Sequence, residues 1–462
     1  MAAEFDLYYR CPDPGVKYRV SGNLSDEAGH FRWGRDLVCY GRTTGGRISR
    51  SINAHLYDVS DAVQIANSSI CLPFDVDEII RNLYRERYTA HFNKPNSLHH
   101  SILREIYYLL RPYLSVTFRK YLQRFKLRDW KEIPFPQWPV DFTVDRIQRR
   151  MMALQMRAMG IETMPFIWFW PDRFLSCAII THDVETTSGR DFCSTLMDLD
   201  ESFGFRSSFQ VVPESRYSVP QSYLEQIHAR GFEVNVHDLK HDGRLFSDRE
   251  EFLQSANRIN EYARDFGAVG FRSGVLYRNQ EWYDAFDFDY DMSVPNVGNL
   301  DPQHGGCCTV MPYFIGNLVE LPLTCTQDYT LFHMLQDYST ELWRKQISLI
   351  MENHGLVTIL VHPDYIMDSR PQQLYKELLS HMESLRNTTP MWTPLPREVA
   401  LWWRQRSKMN LVQNGDMWEI DGPGKERASV AYAKIVDDEV TYSLQDDTIR
   451  PRTYNANYPA AQ

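Results

Sequence analysis

The chain has 462 residues, and no run in it approaches the ~18 consecutive apolar residues that a membrane-crossing helix needs. Its start, "MAAEFDLYYRCPDPG", lacks the basic region and apolar stretch of a secretory signal. There is no basic excess either. The net charge is −10, which removes any global electrostatic case for nucleic-acid binding. The eight cysteines scatter from Cys11 to Cys325 without the spacing of a small disulfide framework, so a reducing, cytoplasmic setting is the expectation. No G-x-S-x-G elbow gives a serine hydrolase a foothold, and no glycine-rich loop after a strand offers to cradle phosphates. Internal repeats and low-complexity segments are absent as well.

What is present divides the chain into three. Residues 1–165 read as a mainly helical region with some early strand. "VDEIIRNLYRERY" from Val76 has apolar residues at helical spacing, and "TVDRIQRRMMALQMRAMG" opens on an acidic turn and closes on Gly160. Between them, Ser101 to Leu127 reads as two helical segments broken near Pro112. Basic residues cluster from Arg111 to Lys131, among them Arg119, Lys120, Arg124, Lys126 and Arg128. A solvated helix face is the plainer reading of that cluster, with peripheral membrane contact as the rival.

Residues 166–408 alternate short strands with helices. "FLSCAIIT", "RSSFQVV", "FEVNVH", "AVGFRSG", "YDMSV", "NLVELPL" and "LVTILVH" make seven strands. That rhythm predicts parallel pairing through crossover helices in an α/β fold, and seven strands favour a closed or nearly closed barrel. Residues 409–462 read as a small β extension with a loose tail from Arg450.

The polar residues fall where such a barrel places its chemistry, at the carboxyl ends of the strands. The first strand ends in His182, Asp183 and Glu185, the third in His237 with His241 four residues on. The fourth ends in Arg272, the fifth carries Asp291, and the last ends in His362. Each alone has a bland reading as a core or surface residue; their convergence on one rim is the argument. Two neutral imidazoles and one carboxylate form a facial set suited to Zn²⁺ or a similar divalent ion, and either Asp183 or Glu185 could supply the carboxylate. The vicinal Cys307–Cys308 pair reads as structural thiols, since adjacent thiolates seldom suit tetrahedral ligation. "PFIWFWP", from Pro165, reads as core or interface filler rather than a stacking platform.

The motifs "THDVE", "HDLKH", "FRSG", "YDMS" and "LVHP", in this order between Ser176 and Pro363, resemble those of the polysaccharide deacetylases, the NodB-homology carbohydrate esterases. The resemblance implies a distorted (β/α)7 barrel and a metal-dependent hydrolase that removes acetyl groups from N-acetylated, less often O-acetylated, sugars. Asp183 would be the general base, His237 and His241 two metal ligands, Arg272 the residue orienting the base, and His362 the general acid. Val184 stands where a second aspartate is usual; Glu185, one place later, is the implied third ligand of one divalent ion, Zn²⁺ by its donors. Asp291 falls in the fourth-motif region without the accompanying tryptophan and is carried as a substrate-binding candidate. Gly274 replaces an expected proline. Without export, the substrate would be a nucleotide- or lipid-linked acetamido-sugar precursor. Two rivals remain: a metal-independent cyclic-amide hydrolase of this fold, and a non-catalytic carbohydrate-binding or scaffold protein. The full ligand set disfavours the first, and the intact Asp183 and His362 the second.

Overall fold

The computed structural model describes residues 3–13, 15–66, 69–91, 116–415 and 417–444. The expected helical segment from Ser101 to Pro112, the basic positions before Val116 and the tail from Arg450 lie outside them.

One mixed sheet organises residues 176–392. Its elements are β1 (Ser176–Val184), α1 (Thr187–Ser202), β2 (Ser208–Val211), α2 (Gln221–Ala229), β3 (Glu233–His237), α3 (Arg249–Phe266) and β4 (Gly270–Arg272). They continue as β5 (Tyr290–Asp291), β6 (Tyr313–Ile315), β7 (Leu318–Glu320), α4 (Glu341–Glu352), β8 (Leu356–Leu360), α5 (Ser369–Thr388) and β9 (Met391–Trp392); helix α6 (Pro396–Ser407) follows. The strand order is β6-β7-β5-β4-β3-β2-β1-β8, with β9 also on β1, and every pairing but β6–β7 is parallel. All nine residues of β1 are buried, because neighbouring strands flank it and layers cover both faces.

The sheet curls on itself. Beyond β7 the chain returns to β8, where Cys325 N donates to Thr358 O at 3.3 Å and Thr358 Oγ1 donates to Pro322 O at 2.8 Å. Instead of the seven expected strands, the sheet has nine. Two were hidden from sequence reading because they are short. β6 pairs with β7 across a tight turn at Gly316, where φ is +58°, and β9 has two residues.

Helix boundaries follow local chemistry. Asp248 caps α3 by accepting from Glu250 N and Glu251 N, and Gly267 ends it at φ +64°. The helix Thr143–Met159 likewise stops at Gly160, φ +65°. Its buried face carries Ile147, Met151, Met152 and Met156.

Among the described residues of 3–167, strands stand beside the helices. A three-stranded sheet joins Lys17–Val20, Ser69–Leu72 and Gln64–Ala66, and Gly29–Arg32 pairs with Val38–Gly41. Helix Val116–Lys126 is followed by Arg128, which pairs with Asp129 at 3.3 Å and lies over the Phe125 ring. Near the C-terminus, Val430–Val436 pairs with Glu439–Leu444 and also with Thr163–Ile167. Trp168, Phe169 and Trp170 are buried, so "PFIWFWP" fills core. One continuous apolar cluster runs from Phe5 to Leu444. No helix among the described residues is long and apolar enough to cross a membrane.

Candidate metal centre and active site

The parallel register sorts the strand-end side chains. Val184, Val211, Val236, Phe271, Asp291 and Glu320 share one row across β1, β2, β3, β4, β5 and β7. Phe271 packs on Phe286 and Phe288, so this row faces the outer layer. Asp183 and Arg272 sit on the alternate positions and meet inside the curl.

Asp183 is 3% exposed, and its Oδ1 accepts from Arg272 Nη1 at 2.8 Å. The same Nη1 donates to Thr181 Oγ1 at 2.9 Å, and Arg272 Nε donates to Met292 O at 3.0 Å, so the guanidinium is held from β1 and from the residue after β5. Burial alone would raise the Asp183 carboxyl, but Arg272, His237 and His362 outweigh it and hold the carboxyl below the usual range.

Glu185, one residue past the end of β1, meets both histidines of the "HDLKH" segment. Its Oε1 lies 3.0 Å from His241 Nε2, 3.9 Å from His237 Nε2 and 3.6 Å from His362 Nε2. One ligand atom from each of Glu185, His237 and His241 falls within 4.8 Å of the others. Burial would raise Glu185; the imidazoles, His241 foremost, bring it well below the usual range instead.

Two observations test whether these residues fit a cation. His237 Nδ1 donates to Arg272 O at 3.0 Å, which fixes the tautomer and leaves Nε2 as a lone-pair donor. Nε2 of His237 and both ring nitrogens of His241 are buried without a hydrogen-bond partner, because even the 3.0 Å approach of His241 to Glu185 lacks hydrogen-bond geometry. Two orphaned imidazole nitrogens and a carboxylate facing one point are the donor set of a borderline divalent ion.

Gly274 belongs to the same construction. A Cβ there would stand 2.4 Å from Asp238 Oδ2 and 2.9 Å from His241 Cδ2, and Gly274 N donates to that Oδ2 at 3.2 Å. A side chain at this position would push on the segment that carries His241. The departure from an expected proline therefore has a steric reason.

His362 comes to the rim from the end of β8. Its Nδ1 donates to Asp328 Oδ1 at 2.6 Å and its backbone N donates to Asp328 Oδ2 at 2.8 Å, while its ring lies 5.0 Å from that of Tyr365. Burial opposes protonation, yet Asp328 and Glu185 raise the imidazole well above its ordinary value.

Sequence reading overlooked Asp328 and Thr181. Asp328 lies in "CTQDYT", a connecting segment with no motif to flag it, and only the folded chain brings it under His362. Asp291 is placed on the other face. It bonds Ser293 through N at 3.1 Å and Oγ at 2.6 Å and lies beside Glu320, and none of these contacts reaches the histidines. The vicinal cysteines are buried free thiols, with Cys308 Sγ 3.8 Å from Tyr88 OH.

No family model matches the chain, and no curated protein matches it. Solved structures do. One is a candidate polysaccharide deacetylase from Mycobacterium smegmatis, 18% identical over 52% of this chain and 93% of that one, with a TM-score of 0.42. PuuE allantoinase is 14% identical over 51% and 92%, TM-score 0.39. The peptidoglycan deacetylase PdaC from Bacillus subtilis is 13% identical over 51% and 95%, TM-score 0.31. Likenesses this distant assign no activity; the chemistry has to be read from the side chains.

Proposed function

We propose that this protein is a metal-dependent hydrolase that removes the acetyl group from an N-acetylated sugar. The observation that carries the reading is the meeting of Glu185, His237 and His241 beside two tuned pairs, Asp183–Arg272 and His362–Asp328. Glu185, His237 and His241 would hold one divalent ion, Zn²⁺ by their nitrogen and oxygen donors. Such an ion, when bound, supplies Lewis acidity toward an amide carbonyl and lowers the pKa of water.

The chain's own groups divide the proton work. Asp183, ionised and aligned by Arg272, keeps Oδ2 free of the guanidinium and can take a proton from the attacking water. His362 reaches the same space through Nε2, since Asp328 occupies Nδ1. Protonated, it can pass that proton to the departing nitrogen. Water's oxygen bonds to the acyl carbon, the C–N bond breaks, and acetate and an amine leave. An acid and a base with opposite tuning inside one site contribute factors of about 10²–10⁴ each in such reactions. Asp291, on the opposite face, has no part in this reading.

The test is elemental analysis of purified protein together with acetate release from N-acetylated sugars. Wild type should carry about one equivalent of zinc or a similar ion. His237→Ala combined with His241→Ala should lose it and the activity, by a factor of about 10³ or more. Activity that survives chelation and the double substitution would instead favour a metal-independent amide hydrolase.

A further inference from the structure

Behind the site, His182 turns from β1 toward the helices and is fully buried. The β1–β8 ladder ends at Thr181 and Leu360, with Val361 N still donating to Thr181 O at 3.1 Å. One residue further, Val361 is 0% exposed and its carbonyl has lost the ladder. His182 Nδ1 meets that carbonyl at 2.9 Å, and His182 Nε2 meets Asp200 Oδ2, on α1, at 3.0 Å.

The protons around this ring can be counted. A backbone carbonyl only accepts, so Nδ1 carries a hydrogen. Asp200 already accepts from Ser207 Oγ at 2.6 Å and from Tyr375 OH, on α5, at 2.6 Å. His182 Nε2 thus shares Asp200 Oδ2 with Ser207 Oγ. All four groups are buried to 0% exposure, and the rings of Phe209 and Tyr375 flank the imidazole at 5.1 and 6.0 Å.

We propose that His182 is a positioning residue whose buried ring ties the strand of the base to the strand of the acid. It precedes Asp183 directly, and the carbonyl it holds precedes His362 directly. Its bond to Val361 thus sets the spacing between the two proton-transfer groups where the backbone ladder no longer does. The role in catalysis rests on the hydrolase reading above; the tie does not.

Two measurements test it. Long-range ¹⁵N–¹H correlation on the full, ¹⁵N-histidine-labelled chain, assigned by difference with His182→Gln, should show His182 Nδ1 as an N–H. A bare Nδ1 would overturn the tie. In kinetics, His182→Phe should lower kcat by about 10–100-fold, with KM and bound metal unchanged. His182→Gln keeps one donor for Val361 and should recover much of that loss. Unchanged kcat in His182→Phe, or a loss that follows metal content or KM, would overturn the positioning role. If His182→Phe does not fold, Tyr375→Phe and the spectrum carry the test: the Nδ1–H should persist there with a smaller fall in kcat. If wild type hydrolyses no amide, the hydrolase reading fails, and the spectrum still decides the tie.

Discussion

At the scale of single residues, the site depends on side chains that fix other side chains. Arg272 donates to Asp183, Thr181 and Met292 at once, so it can shift little without breaking a buried bond. Asp328 does the same for His362 by taking both its ring Nδ1–H and its backbone N–H. Replacing Asp328 with alanine frees the ring and removes the charge that favours its protonated form. Activity should fall by about 10–100-fold while metal content is retained, and turnover measured beside metal analysis checks both. Asp328 was not legible beforehand, because its only distinction is a contact between residues 34 positions apart. His237 and His241 were legible, since both belong to one short segment after a strand.

At the scale of elements, local pattern and observed structure agree where capping and periodicity act within a few residues. Helix α3 has its aspartate cap and glycine stop, and β1 ends within a few residues of its three ionisable side chains. Agreement weakens where an element exists only through its partner. β5 has two residues and is a strand because β4 and β7 flank it. That sandwiching also decides which way Asp291 points, a parity no sequence window contains. Between elements, the 3₁₀ turn Arg87–His91 and the segment after β4 are joined by a buried ion pair just ahead of that turn. Arg278 Nε donates to Glu86 Oε2 at 2.6 Å and its Nη2 donates to the other oxygen. Arg278→Met would leave the Glu86 carboxylate buried without its cation, at a cost of about 3–5 kcal/mol. Urea denaturation should show that loss, and adding Glu86→Leu should restore much of it.

At the scale of the whole molecule, the regions before and after the barrel-like unit are built together. Tyr9 OH lies 2.6 Å from Tyr442 OH. Arg406, on α6, donates to Tyr8 O and Ile167 O at 2.8 and 2.6 Å. Below the site, Glu233 at the start of β3 is 2% exposed; it accepts from Tyr290 OH and, at 3.3 Å, from Arg397 N. Burial pushes its carboxyl from 4.5 up to about 7. A folded pKa above the unfolded one means that its contribution is whole below about pH 4.5 and is lost as the pH rises through about 7. Glu233→Gln should therefore flatten the stability profile between about pH 5 and 8, removing a decline of up to about 3 kcal/mol. Denaturation midpoints of the two proteins across that range provide the check.

The sequence by itself determined the alternation of strands and helices and which ionisable side chains end the strands, for a physical reason. Strand–helix alternation, caps and short motifs are local, and the carboxyl ends of parallel strands share one rim, so the chemistry at each could be listed in advance. Tertiary structure alone decided how many strands the sheet has, on which face Asp291 lies, why a glycine must stand at 274, and which acids sit behind His362 and His182. Those outcomes depend on register, close approach and buried hydrogen bonds between distant segments, and such distances exist only once the chain has folded.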